Sequence, residues 1–174
     1  MKFQIDHALE ILDRTPATLR ALLAELPAGW TSGYGGTEDW NPKDVVGHLV
    51  HGEETDWIPR AEILLRHGES RPFDPYDRLA QFERFQDRTL DELLERFAQL
   101  RRANLARLQA MKLKPEQYDL RGTHPRLGTV TLGELLATWV VHDLSHIGQI
   151  TRAMAKRYRD EVGPWRAFLP ALER

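Results

Sequence analysis

The stretch TLGELLATWVVHDLSHIGQITRAMAKRYR, residues 131–159, decides the fold. Its apolar residues recur every three or four positions, the period of an amphipathic helix. Thr131 can cap its start, and Glu134 three residues on completes a capping box. Gly163-Pro164 stops it. With Trp139 set at zero and about 100° per residue, Leu132, Leu135, Leu136 and Ile150 fall within roughly 60°. His142 falls at about -60° and His146 at about -20°. Both imidazoles therefore ride on the stripe that must face a core. At i, i+4 their Cβ atoms stand ~5–6 Å apart, so two ring nitrogens can meet on one cation at ~2.0–2.1 Å. Were they merely buried, each would need its own partner, at ~1–3 kcal/mol per unsatisfied group. One shared metal ion satisfies both.

Three further helical stretches precede this one. The first runs over about 6–26, with Leu9, Leu12, Leu19, Leu22, Leu23 and Leu26 on one broad side; Pro16 inside it removes a backbone donor, so a kink or a restart capped by Thr15 is expected. The second runs over about 42–66. Asn41 caps it, Pro42 takes the first helical position, Asp44 lies in the first turn, Pro59 should kink it and His67-Gly68 ends it. The third is polar-rich and spans about 78–111, with a break near Thr89-Leu90-Asp91 where Thr89 or Asp91 can cap a second piece. Residues 28–41, 68–76 and 112–130 are rich in Gly, Pro and small polar residues and read as loops. No strand signal is visible. The fold class is therefore all-α: a four-helix bundle with long crossover loops, whose order need not be up-down-up-down. Trp165, Phe168 and Leu169 form an apolar tail expected to pack back on the bundle or to meet a second copy.

The composition narrows the function. The chain has 174 residues, the size of a single domain over 1–174. It has no cysteine, which excludes a disulfide scaffold, a zinc ribbon, a thiolate nucleophile and an iron–sulfur site. Lys+Arg total 24 against Asp+Glu 26, so no basic excess points to nucleic acid. No apolar run reaches the ~20 residues of a membrane helix. MKFQIDHALE carries acids and no apolar centre, so no signal peptide is expected and the cytoplasm is the default location.

Two histidines rarely suffice for a metal. His7 and His67 sit at helix ends, and His124 lies in a loop before Pro125. His48 and His51 remain, one turn apart in the second helix. His48 lies among Val45, Val46, Leu49 and Val50, whereas His51 is followed by Gly52-Glu53-Glu54, which favours His48 without excluding His51. Other features read plainly. Trp40, Trp57, Trp139 and Trp165 suit a core or a cavity wall, Arg101-Arg102 a solvated face, and Gly33, Gly35 and Gly36 a flexible loop. No Ser/His/Asp order is visible.

Three segments together resemble the DinB-like superfamily of small metal-binding four-helix bundles, which is unrelated to the DNA polymerase of that name. They are DWNPKDVVGHLVHGEE at 39–54, HPRLGTVTLGELLATWVVHDLSHIGQITR at 124–152 and RYRDEVGPW at 157–165. RTPATLRALLAELP at 14–27 fits the family's first helix. The resemblance implies that His48, His142 and His146 form a metal triad for a divalent Zn, Ni, Fe or Mn ion. Asp143 and Gln149 become candidates for bonds behind the ligands, with a plain salt bridge as the equal alternative for Asp143. The resemblance further implies a metal-dependent enzyme with a small-molecule substrate, either a hydrolase or an S-transferase using a low-molecular-weight thiol cosubstrate, and a homodimer. The competing expectation is a non-catalytic bundle, stabilised by the metal or binding a small molecule. There Glu53, Glu54 or His51 would close the site at four ligands, although a surface position is the ordinary one for such a Glu.

Overall fold

The computed structural model describes residues 3–32 and 39–172. The Gly33, Gly35 and Gly36 loop lies outside the described residues. The helices are α1 (Ile5–Leu23), α2 (Ala28–Thr31), α3 (Pro42–Thr55), α4 (Trp57–His67), α5 (Ala80–Phe85), α6 (Leu90–Ala110) and α7 (Leu132–Ala155). A hairpin, β1 (Arg121–His124) and β2 (Gly128–Thr131), precedes α7. The packed pairs are α3 with α6, α1 with α6, α1 with α7 and α3 with α7. This places α1 diagonal to α3 and α6 diagonal to α7. The first and second bundle helices, and the third and fourth, are therefore not neighbours, and the connections between them cross the bundle, while α3 and α6 lie side by side.

The helix starts follow from their caps. Asn41 Oδ1 accepts from Asp44 N at 3.0 Å, and Asp44 Oδ2 accepts from Asn41 N at 3.1 Å. Thr89 with Glu92, and Thr131 with Glu134, form the same reciprocal box. Each cap contributes about 1 kcal/mol. Thr89, not Asp91, is thus the cap of α6. The second expected helix does break, at Asp56 between α3 and α4, three residues before Pro59. Gly68 ends α4 with φ 55°, a conformation only glycine adopts without cost.

α1 runs on through Pro16, so the expected restart at Thr15 is absent. Proline cannot donate to the carbonyl four residues back, that of Leu12. Arg101 Nη1 donates to that carbonyl instead, at 2.8 Å. Thr15 does not cap a new helix; its hydroxyl donates to the Ile11 carbonyl at 3.1 Å.

Two other expectations are corrected. Residues 121–124 and 128–131 are not loop but strands. Thr129, Val130 and Thr131 are all β-branched, and they pair with Thr123, Gly122 and Arg121 in an antiparallel register. Phe73 N also donates to the Thr123 carbonyl at 2.9 Å, which ties the 71–73 segment to the hairpin. The apolar tail does not pack back: Trp165 and Phe168 are 73% and 78% exposed, and Leu172 is the tail residue that is buried.

The core has two apolar clusters, one around Leu12, Trp57, Leu105 and Trp139, the other around Leu19, Val50, Phe97 and Ile150. Trp57 and Trp139 stack at 5.8 Å with their planes 9° apart. A polar layer separates the clusters on three helices: Glu53 on α3, Arg101 on α6 and Asp143 on α7, each between one cluster's residues and the other's. Arg101 was expected on a solvated face, yet it is 1% exposed.

Candidate metal centre

α3 and α7 pack against each other and bring three imidazoles to one point. His48 Nε2 lies 3.1 Å from His142 Nε2, and His146 Nε2 lies 3.0 Å from the same atom. The three residues offer ligand atoms within 4.8 Å of one another. His48 is buried, and His142 and His146 are half-buried. The i, i+4 spacing on α7 sets the second pair, as helix geometry requires.

Hydrogen bonds behind two of the rings decide which nitrogen carries the proton. His146 Nδ1 donates to Gln149 Oε1 at 2.8 Å. His48 Nδ1 donates to Gln81 Oε1 at 3.1 Å, with the Tyr76 hydroxyl 3.0 Å from the same nitrogen. In neutral imidazole one nitrogen is a donor and the other an acceptor. Both Nε2 atoms therefore present lone pairs toward His142. The proton of one ring cannot satisfy two such lone pairs at once, whereas a cation meets all three nitrogens. Separations of 3.0–3.1 Å also suit nitrogens that each sit ~2.0–2.1 Å from one ion. The donor set fits a divalent metal, and the bonds to Gln81 and Gln149 are of the kind that orient metal-binding histidines.

Electrostatics keep these rings neutral. Burial, then the neighbouring His146, holds His48 down to about 3. Burial, then His146 and His48, holds His142 down to about 2. Burial also lowers His146, against the opposing bond to Gln149. In the unfolded chain each histidine titrates near ~6.5. The metal-free folded state thus binds fewer protons than the unfolded one below that pH, so its stability is full above pH ~6.5 and falls as the pH drops. At pH 5 the loss is ~2 kcal/mol for each of His48 and His142. Asp56 works the other way, because burial raises its carboxyl to about 6 against the pull of Arg60. It returns only ~1 kcal/mol at pH 5. The urea midpoint of metal-free protein is therefore expected to be lower at pH 5 than at pH 7.5. Equal midpoints would contradict the neutral, buried state of the cluster.

The alternatives weighed from sequence lie elsewhere. His51 is buried, but its Nδ1 accepts from Arg84 Nη1 at 2.8 Å and its ring packs 5.0 Å from that of Tyr76. Glu54 binds Arg84 and Arg96 at the surface. Glu53 is not a surface residue: it is 2% exposed and turned to Arg101, Asn104 and Trp139. Asp143 forms the salt bridge to Arg101. Among the described residues no fourth carboxylate or imidazole joins the cluster.

The cluster borders a cavity of about 470 Å³, a size ordinary for a small-molecule site. Trp40, Tyr76 and Gln149 share its wall with the three histidines. Trp40 is buried against His48, the ring centroids 5.0 Å apart. Gln81 and Tyr76 escaped the sequence reading because they sit on or before the short α5, with no periodicity to mark them.

The fold is similar to that of YfiT from Bacillus subtilis, described as a probable metal-dependent hydrolase with an unusual four-helix bundle topology. The two superpose with a TM-score of 0.73 and 24% sequence identity, over 87% of this chain and 86% of that one. No curated protein matches the chain. The sequence profile of the DinB superfamily matches residues 11–150, most of the chain and both helices that carry the histidine cluster, and the protein belongs to the DinB superfamily.

Proposed function

We propose that the protein is a divalent-metal-dependent enzyme acting on a small molecule, with His48, His142 and His146 as the metal's protein ligands. The observation that carries this reading is the convergence of three Nε2 atoms at the edge of a cavity, with no fourth protein ligand among the described residues. Structural zinc sites close at four protein ligands, whereas catalytic sites keep a position open. Bound there, a divalent ion supplies Lewis acidity to a water or thiol nucleophile and to the bond under attack. The chain's own residues do the rest. Gln149 and Gln81 hold the rings with their Nε2 lone pairs inward. Trp40 and Tyr76 cover His48 and keep bulk water from that side.

The reaction is hydrolysis or S-transfer from a low-molecular-weight thiol. Hydrolysis draws support from the description of YfiT, and the thiol cosubstrate from the family resemblance. Neutral imidazoles suit Zn, Ni, Fe or Mn. The test is elemental analysis of the purified protein, followed by screens for ester and amide hydrolysis and for thiol conjugation with each metal restored. Close to one equivalent of metal and an activity that vanishes on metal removal are expected. Protein that neither carries nor takes up any of the four ions would sink the reading.

A further inference from the structure

The cavity has a second half that the histidine cluster does not use. Arg60 on α4 is 7% exposed and ion-paired with Asp56 one turn earlier. Its guanidinium lies over the Phe73 ring, 5.4 Å from the centroid. Arg78 lies over the Trp40 ring at 5.0 Å, and Arg126 sits in the hairpin turn. All three line the cavity, and among the described residues Asp56 is the one acidic residue that does. Apart from the Asp56–Arg60 pair, the side chains of these arginines make no hydrogen bond or ion pair among the described residues. Among the described residues, three guanidinium groups thus face a single carboxylate, in a chain whose net charge is -2.

His124 adds a directed donor. Its Nδ1 accepts from the backbone N–H of Arg126 at 3.1 Å and of Leu127 at 3.2 Å. The proton of the neutral ring is therefore on Nε2. Burial, with Arg60 and Arg126 nearby, holds this histidine below its ordinary pKa, so it stays neutral at pH 7. Its ring meets Phe73 edge-on at 6.3 Å, which fixes its orientation. Guanidinium forks and a neutral N–H recognise oxyanions and offer nothing to a cation.

We propose that this half of the cavity is an oxyanion subsite: the substrate carries a carboxylate or phosphate that docks on Arg60, Arg126 and the His124 Nε2–H. Arg78 adds its charge from the Trp40 side. The word substrate rests on the metal-enzyme reading above; the anion site itself stands on side chains outside the histidine cluster. The substrate is then a small anion whose reacting bond reaches the histidines while its charged end is held by the hairpin and α4.

Calorimetry on metal-free protein tests this, with succinate and inorganic phosphate as probes and uncharged succinamide as control, at constant ionic strength. Metal is removed on a chelating resin, because soluble chelators are themselves polyanions. At least one oxyanion is expected to bind and succinamide is not; which oxyanion binds identifies the charged group. Arg126→Glu and Arg78→Glu change exposed side chains, so both variants should fold. Each should weaken binding by roughly tenfold or more while keeping wild-type metal uptake. Three results would overturn the subsite: no oxyanion binding at millimolar concentrations, equal binding of succinamide, or wild-type anion affinity in both variants. Anion binding that needs the metal and ignores both arginines would also overturn it, since the ion would then be the partner. Loss of metal in the histidine variants with no anion binding leaves the metal reading standing and removes the subsite; anion binding with metal retained in those variants does the reverse.

Discussion

Replacing His142 by alanine is expected to lower metal affinity by roughly a hundredfold or more, because it removes the nitrogen that both other ligand atoms face. His48→Ala and His146→Ala should lose metal comparably. His51→Ala should retain it, since that ring is engaged by Arg84 and takes no part in the cluster. Gln149→Ala is the graded case: the ligand remains but its orienting bond is gone, which costs ~10–100-fold in affinity. His142→Ala should not unfold the chain. His142 Nδ1 has no hydrogen-bond partner among the described residues, so truncation leaves no buried group newly orphaned on that side. Bound metal is quantified on each purified variant alongside its unfolding midpoint. If all three triad variants keep wild-type metal, the assignment is wrong. If His51→Ala loses metal and His48→Ala does not, the α3 ligand lies one turn further on.

Local signals were legible in the sequence and long-range ones were not. Asn41-Pro42 with Asp44, Thr89 with Glu92 and Thr131 with Glu134 each act within one helical turn, so the starts of three helices can be read directly. The same holds for His142 and His146, which share a face by helix periodicity alone. Pro16 shows where that reasoning stops. Whether it breaks α1 depends on a donor 89 residues away in sequence, and nothing near Pro16 announces Arg101. Arg101 itself lies in LRRANL, which reads as a solvated face until its carboxylate partners on α3 and α7 are known.

The candidate site divides along the same line. Apolar neighbours favoured His48 over His51, yet both are buried, at 7% and 5% exposure. What separates them is direction: Arg84 engages the His51 ring, whereas Gln81 and α7 engage that of His48, and Tyr76 touches both. The hairpin that delivers His124 and Arg126 was missed because each strand has four residues and its pairing is the main evidence of it. From sequence Gly122 reads as a loop glycine. Its place is instead a close approach, where a Cβ would come within 3.1 Å of Leu64.

The second large effect is expected at the polar layer. Arg101 uses all five of its N–H groups. Nε and Nη2 donate to Glu53 Oε1 at 3.1 and 2.8 Å; Nη1 and Nη2 donate to the Asp143 carboxylate at 2.6 and 2.9 Å; Nη1 also donates to the Leu12 carbonyl at 2.8 Å. Trp139 Nε1 and Asn104 Nδ2 complete the shell around Glu53, at 2.9 and 3.0 Å. Arg101→Met would keep the volume and strand two buried carboxylates and one helix carbonyl. Breaking such a pair from one side costs ~3–5 kcal/mol. That is a large share of the ~5–15 kcal/mol that stabilises a typical domain. Adding Glu53→Gln and Asp143→Asn removes the stranded charges and should recover part of the loss, because the penalty is uncompensated charge rather than a missing attraction. Should Arg101→Met fail to fold, Arg101→Lys makes the same comparison: it keeps the charge but cannot fork between two carboxylates and a carbonyl. Urea unfolding of the metal-free variants measures each step. A loss below ~1 kcal/mol in Arg101→Met, the level of an exposed ion pair, would show that the layer is not the buried network described. Glu53 lies five residues after His48, and Asp143 directly follows His142. The layer thus joins the two helices that carry the histidines, and a variant that loosens it should also weaken metal binding with every ligand still in place.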